Sequence, residues 1–325
     1  MDRDYRVVSY GSPLPGSRLS LVRSAVTAAG GVITGVGDAS GNGYAGQALS
    51  VAYGGTVDQL RVAIREASRR PVDSGDDSRN TATGRLGVPT GNGGDQSGGD
   101  QSGVGTAVVP APVFGPGRKL LIMDVDSTLI KQEVIELLAA YAGREAEVAE
   151  VTERAMRGEL DFTQSLHARV AVLAGLPVSV IDAVGRSIEL SEGAEVLVDA
   201  FLSAGHSVAA VSGGFTQLLQ PLAQRLELTS ARANLLEIDG GTLTGRVTGP
   251  VVDRAEKERT LRQWAGAAGI PLARTIAVGD GANDIDMVAA AGFGVAFNAK
   301  PALRDVADAV VDLPFLDVVR HFAGV

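Results

Sequence analysis

The chain has 325 residues, enough for about two domains, and 45% of them are apolar, so a sizeable core can form. Its 38 acidic and 29 basic residues leave a formal charge of −9 with no basic stripe, which argues against a nucleic-acid partner. There is no cysteine, hence no disulfide and no thiolate metal site, and 3 histidines argue against a histidine-based metal centre.

The first residues, Met1-Asp2-Arg3-Asp4-Tyr5, lack an apolar signal core, and no apolar run approaches the roughly 18 residues of a spanning helix. The expectation is a cytoplasmic protein with no membrane partner. Residues 1–70 read as a small α+β unit. Tyr5 to Tyr10 can form a strand. Leu19, Val22, Val26 and Ala29 recur at helical spacing, and Gly30-Gly31 ends that helix. Val32 to Val36 and Gln47 to Tyr53 read as strands around a Gly-rich turn. Val57, Leu60, Ile64 and Ala67 mark a second helix, with Thr56 as its N-cap. This β-α-β-β-α order resembles small amino-acid-sensing modules of the ACT type. The last strand of such a module is missing or lies in the next segment. The resemblance implies a regulatory or dimerisation domain, with a serine effector and a homodimer as the partners it suggests.

Residues 71–116 change character. Pro71 to Ser78 is polar and acidic, and Gly91 to Gly103 repeats Gly-Gly-Asp-Gln-Ser. Few apolar residues are present to offset the entropy of ordering, so the segment reads as a flexible linker.

Residues 117–325 alternate short apolar strands with amphipathic helices, the pattern of a Rossmann-like, doubly wound parallel α/β sheet. The strands that matter are Leu120–Met123, Ser207–Val211, Thr275–Val278 and Phe293–Ala296. A helical stretch, about 131–190, is inserted after the first of them and would cover its end as a cap. Within it, Val134, Ile135, Leu138 and Tyr141 form one helical stripe, and Glu145 to Met156 form a second helix. Asp161 and Gln164 have the spacing of a capping box for a helix through Ala174, and Pro177 opens another to about Ile188. Later, Asn234–Ile238 and Thr242–Val247 flank Asp239-Gly240-Gly241 as a hairpin.

The chemistry gathers at strand ends. Leu120–Met123 runs into Asp124-Val125-Asp126-Ser127-Thr128, and burying two acids there is costly unless they bind a cation or react. Ser212-Gly213-Gly214 follows a second strand, where backbone N–H groups opening a helix and a serine hydroxyl suit an anion. Gly279-Asp280-Gly281-Ala282-Asn283-Asp284 follows a third, with glycines that allow close backbone approach. The Ser212 element is ordinary alone and Gly-Asp-Gly-x-Asn-Asp is a strong signal; their joint occurrence in this order decides the reading.

Together these motifs resemble the haloacid dehalogenase-type phosphohydrolases, over about Arg118 to the C-terminus. The resemblance implies Asp124 as the nucleophile that forms an aspartyl-phosphate and Asp126 as the general acid, then base. It implies Mg²⁺ held by Asp124, Asp280 and the backbone carbonyl of Asp126, with Asp284 ligating it or orienting that shell through water. Lys257, in the first turn of a helix, would pair with Asp124 and phosphate; Ser212 and Gly213 would bind phosphate, and Asn283 phosphate or serine.

The cap resembles one branch, the phosphoserine phosphatases. The segment Asp161-Phe162-Thr163-Gln164-Ser165-Leu166-His167-Ala168-Arg169-Val170 carries that likeness together with Glu133. It implies Glu133 for a substrate ammonium, Arg169 for its carboxylate, and Phe162 and Met156 as lining. His167 has no assigned role, Trp264 reads as helix packing, His206 as a turn residue and His321 as surface. The resemblance implies hydrolysis of a phosphoric monoester, O-phospho-L-serine, to serine and phosphate, the last step of serine biosynthesis. The alternatives are another small-molecule phosphatase or phosphotransferase, and a non-catalytic serine sensor.

Overall fold

The computed structural model describes residues 3–69, 103–157 and 159–325, with the side chains of 68, 69 and 156 left aside. The linker expected over 71–116 therefore lies outside the described residues up to 102, as does the side chain of Met156.

Among the described residues eleven strands form two sheets: β1 (Arg3–Gly11), β2 (Val32–Asp38), β3 (Ala45–Tyr53) and β4 (Gly105–Pro110) make the first, in the order β2-β3-β1-β4. All of its pairings are antiparallel. Strand β4 corrects the expected linker, because its last third contains a strand. The run Ala107-Val108-Val109 is buried on alternate sides. Val108 joins the helices Gly16–Ala28 and Val57–Arg69, while Ala107 and Val109 join the core of the larger sheet. Period-2 burial on both faces holds a strand that its Gly-rich surroundings conceal.

The second sheet contains β5 (Leu120–Met123), β6 (Ser207–Phe215), β7 (Ser230–Asp239), β8 (Thr242–Thr248), β9 (Thr275–Gly279), β10 (Phe293–Phe297) and β11 (Ala309–Val311). Its order is β11-β10-β9-β5-β6-β7-β8, parallel except for the β7–β8 hairpin. The hairpin turns on Gly240 and Gly241, both at positive φ, as a two-residue loop requires. Central β5 is apolar throughout because it is covered on both faces. Leu120 and Ile122 meet the helices Arg254–Ala267 and Ile285–Ala290; Leu121 and Met123 meet Ala194–Ser203 and Val318–Ala323.

Register positions the site. Met123 pairs with Ala210 on one side and Val278 on the other. Asp124, Ser212 and Asp280 therefore leave the same edge, the carboxyl end of three adjacent parallel strands, where such sheets bind ligands.

Among the described residues four α-helices lie between β5 and the helix Ala194–Ser203: Val134–Tyr141, Glu145–Met156, Phe162–Ala171 and Ser179–Ser187. The third has both halves of its capping box, Gln164 N to Asp161 Oδ1 at 2.8 Å and Asp161 N to Gln164 Oε1 at 3.0 Å. It ends earlier than the spacing predicts, as the chain turns to place Gly175 N on Leu243 O of β8. The insertion enters and leaves through one crossing, where Ile130 and Leu190 form an antiparallel bridge. Among the described residues no helix is long and apolar enough to cross a membrane.

Candidate active site

Lys257 lies in the first turn of Arg254–Ala267 and is 0% exposed. Its Nζ is 2.7 Å from Asp124 Oδ1 and 2.7 Å from Asp284 Oδ1. Burial alone would discharge this ammonium, but the two carboxylates outweigh it and raise its pKa above the ordinary lysine value. Asp284 is anchored further, since its Oδ2 accepts from the backbone N–H of Asp280 at 3.2 Å and of Gly281 at 3.1 Å. A Cβ at position 279 would collide with the Asp284 carboxyl, so glycine is needed for this approach.

Asp124 Oδ1 also accepts from Val125 N at 2.7 Å, and among the described residues Oδ2 has no hydrogen-bond partner. Burial, then the neighbouring Asp284 charge, push the Asp124 carboxyl well above its usual range. The same two causes push Asp280 to about 6. Carboxylate oxygens of Asp124, Asp280 and Asp284 lie within 4.8 Å of one another. Three carboxylates against one ammonium leave two surplus negative charges, and the donors are hard oxygens. That set fits a divalent hard cation.

Asp126 looks elsewhere. Its Oδ1 accepts from Val134 N at 2.8 Å and its Oδ2 from Ser212 Oγ at 2.9 Å. Burial and the Glu133 charge push it to about 6. Ser127, at φ +55°, turns the chain between the two, and its Oγ donates to Glu133 Oε1 at 2.9 Å.

The Ser212 loop differs from expectation. Its glycines do not open a helix; β6 continues to Phe215, and its pairing with β7 breaks between Val211 and Phe215. The three residues bulge toward the cap, and the next helix begins at Thr216. Ser212 Oγ accepts from Gly214 N at 2.7 Å. The Phe162 ring lies above, 3.0 Å from where a Cβ on Gly213 would stand.

A buried residue missed in the sequence holds this loop. Asn234 donates from Nδ2 to Gly213 O at 2.8 Å and accepts from Val252 N at Oδ1, also at 2.8 Å. It ties the Ser212 loop to the segment leading to Lys257. Its signal was an amide inside an apolar strand, which the hairpin reading absorbed.

Arg169 is half-buried, and its Nε donates only a long bond, 3.4 Å, to Ser165 O. Burial lowers its pKa, against the pull of Glu133, Asp126 and Glu136. Among the described residues its terminal nitrogens bond no protein oxygen, and the Asn283 amide is equally unengaged. His167 is exposed. A cavity of about 660 Å³ opens on the cap side of Glu133. Ser127, Lys131 and Glu136 also line it, but Asp124 and Arg169 do not.

Residues 121–289 match the model of the haloacid dehalogenase-like hydrolases, and the chain belongs to that family. It is 58% identical over 223 residues, 69% of this chain and 54% of the relative, to a phosphoserine phosphatase of Streptomyces coelicolor. The chain thus spans about half the length of the first curated relatives it matches. A solved substrate-bound phosphoserine phosphatase complex superposes with a TM-score of 0.60 at 40% identity, covering 63% of this chain and 99% of that one. A HAD family hydrolase of Salmonella enterica serovar Typhi shares the fold over 98% of both chains, with a TM-score of 0.76 at 23% identity.

Proposed function

We propose that this protein hydrolyses O-phospho-L-serine to L-serine and phosphate through an aspartyl-phosphate, with Mg²⁺ as its cofactor. Asp124 attacks phosphorus with Oδ2, the oxygen that neither Val125 nor Lys257 occupies. Lys257 balances charge on the transferring group, and Ser212 and the Gly213 backbone receive its oxygens. Asp126 protonates the departing serine oxygen and then takes a proton from water. Glu133 meets the substrate ammonium and Arg169 grips its carboxylate. Asp124, Asp280 and the Asp126 carbonyl would hold Mg²⁺, which when bound neutralises carboxylate and phosphate charge.

The observation that carries this reading is the difference between the two acids of one strand end. Asp124 is paired with Lys257; Asp126 is held by neutral donors and lifted to about 6. The bonded Lys257 ammonium favours an ionised Asp124, against the burial and the Asp284 charge that push its carboxyl up, while Asp126, with no ammonium bonded to it, can carry the proton a general acid needs. Support for the substrate comes from the Streptomyces relative and from the matched complex, whose whole chain corresponds to the catalytic part here.

The reading assigns catalysis to 117–325 and a cytoplasmic setting to the protein, and keeps serine binding or homodimer formation for the N-terminal sheet. The test is phosphate release from phosphoserine, phosphoglycolate and a sugar phosphate. Activity should need Mg²⁺, vanish with a chelator and favour phosphoserine. Equal rates on all three would defeat the substrate assignment.

A further inference from the structure

One buried polar cluster has no part in the proposed reaction. Tyr44 belongs to the N-terminal module, just before β3. Its hydroxyl is 3.0 Å from Asp317 Oδ2 and 3.0 Å from His321 Nε2. Tyr44, Asp317 and His321 are only 5%, 4% and 6% exposed. The phenol has one proton and the carboxylate can only accept it, so His321 Nε2–H donates to the phenol oxygen. Packing alone does not call for this arrangement, since a phenylalanine would fill the same space. Buried polar groups arranged this way fix one geometry, because other geometries leave a member unpaired.

The geometry they fix is that of the crossing through which the chain enters and leaves the cap. The Tyr44 ring rests on Phe315, with centroids 5.5 Å apart. Phe315 forms a parallel bridge with Glu192, and Leu316 N donates to Glu192 O at 2.7 Å. Asp317 lies so close to Gly193, at φ +78°, that a Cβ there would collide with its carboxylate. On its other side this exit strand is laced to the entry strand. Ser191 N donates to Leu129 O at 3.0 Å, Ser191 Oγ to Thr128 O at 2.6 Å, and Lys131 N to Glu189 O at 3.0 Å. Asp126 precedes this lacing directly, and Glu133 follows it.

We infer that Tyr44, Asp317 and His321 are positioning residues that brace the core side of this crossing. The brace keeps Glu133 and Arg169 in place relative to Asp124 and Asp126. The N-terminal module thus contributes to recognition without touching substrate. This rests on the phosphoserine reading, since it needs a substrate that the cap grips.

The test is steady-state kinetics of the full chain on phosphoserine and on p-nitrophenyl phosphate, which offers the cap neither ammonium nor carboxylate. Tyr44→Phe should lower kcat/KM for phosphoserine about threefold and Asp317→Ala about tenfold, with the aryl ester held within about twofold. Asp317→Asn, which can still accept the phenol proton, should recover most of the loss. Equal losses on both substrates, or no loss on either, would overturn the brace. A wild-type chain that hydrolyses the aryl ester but not phosphoserine overturns the substrate reading and the brace with it, and needs no variant to be seen.

Discussion

Two buried polar clusters in this molecule are put together differently. Around Lys257, one ammonium sits among the carboxylates of Asp124, Asp280 and Asp284. Around Tyr44, a hydroxyl, an imidazole and a single carboxylate satisfy one another. The first cluster is short of positive charge, and burial and the Asp284 charge push Asp124 and Asp280 upward. Only a cation or an incoming group can relieve it, which is what a reaction site requires. The second needs no ligand to complete it, and it joins two parts of the chain. A buried polar cluster is thus informative through its charge balance more than through its burial.

Substitutions can separate the two. The largest effect on turnover is expected from Asp124→Asn, which removes the proposed nucleophile while keeping the side chain's shape. Phosphate release should fall by on the order of 10³ or more, and no acid-stable, base-labile phosphoenzyme should accumulate. Retained turnover would show that another group attacks phosphorus. The largest effect on stability is expected from Lys257→Met. It strands two buried carboxylates that shared one ammonium, at about 3–5 kcal/mol. Urea unfolding without added metal reads this directly, and added Mg²⁺ should recover part of the loss. A loss no larger than that of Tyr44→Phe, about 1 kcal/mol for one hydrogen bond, would mean the two clusters are alike after all.

Arg169→Ala belongs to neither cluster and calibrates both. It should raise KM for phosphoserine about 10- to 100-fold and barely change p-nitrophenyl phosphate. If both esters weaken together, Arg169 supports the cap and does not read a carboxylate.

The sequence made the first cluster legible and hid the second, for a physical reason. Asp124, Asp126 and Asp280 stand at the ends of apolar strands, and an acid there is locally anomalous whatever the tertiary structure. The capping box and the Gly240-Gly241 turn were legible likewise, because their bonds close within a few residues. Tyr44 and His321 lie 277 positions apart in the chain. Nothing near either residue announces the other, so His321 read as surface and is instead buried. Strand β4 was hidden by its flanks, and Asn234 by a hairpin pattern that explained its backbone but not its amide. The bulge at Ser212 follows from strand register, which spacing does not encode.

The smallest expected effect concerns His321 itself. Burial, and then Arg320, push its pKa to about 4, below the ordinary 6.5 it regains on unfolding. Between those values the unfolded chain binds more protons than the folded one, so this histidine's contribution is intact above about pH 6.5 and is lost as pH falls toward 4. The reaction-site acids act in the opposite direction. With Asp126 and Asp280 at about 6, their folded forms take up protons first, and acidification favours them. A melting curve of the wild type alone therefore mixes two signs. His321→Gln isolates one, because glutamine can donate to the Tyr44 oxygen and cannot titrate. Moving from pH 7 to pH 5 should shift the Tm difference between the two proteins by a few degrees in favour of the variant, the equivalent of about 1–2 kcal/mol. A difference that stays constant would mean the imidazole is reachable by protons in the folded protein, and the cluster at Tyr44 would then be open to water where it is described as closed.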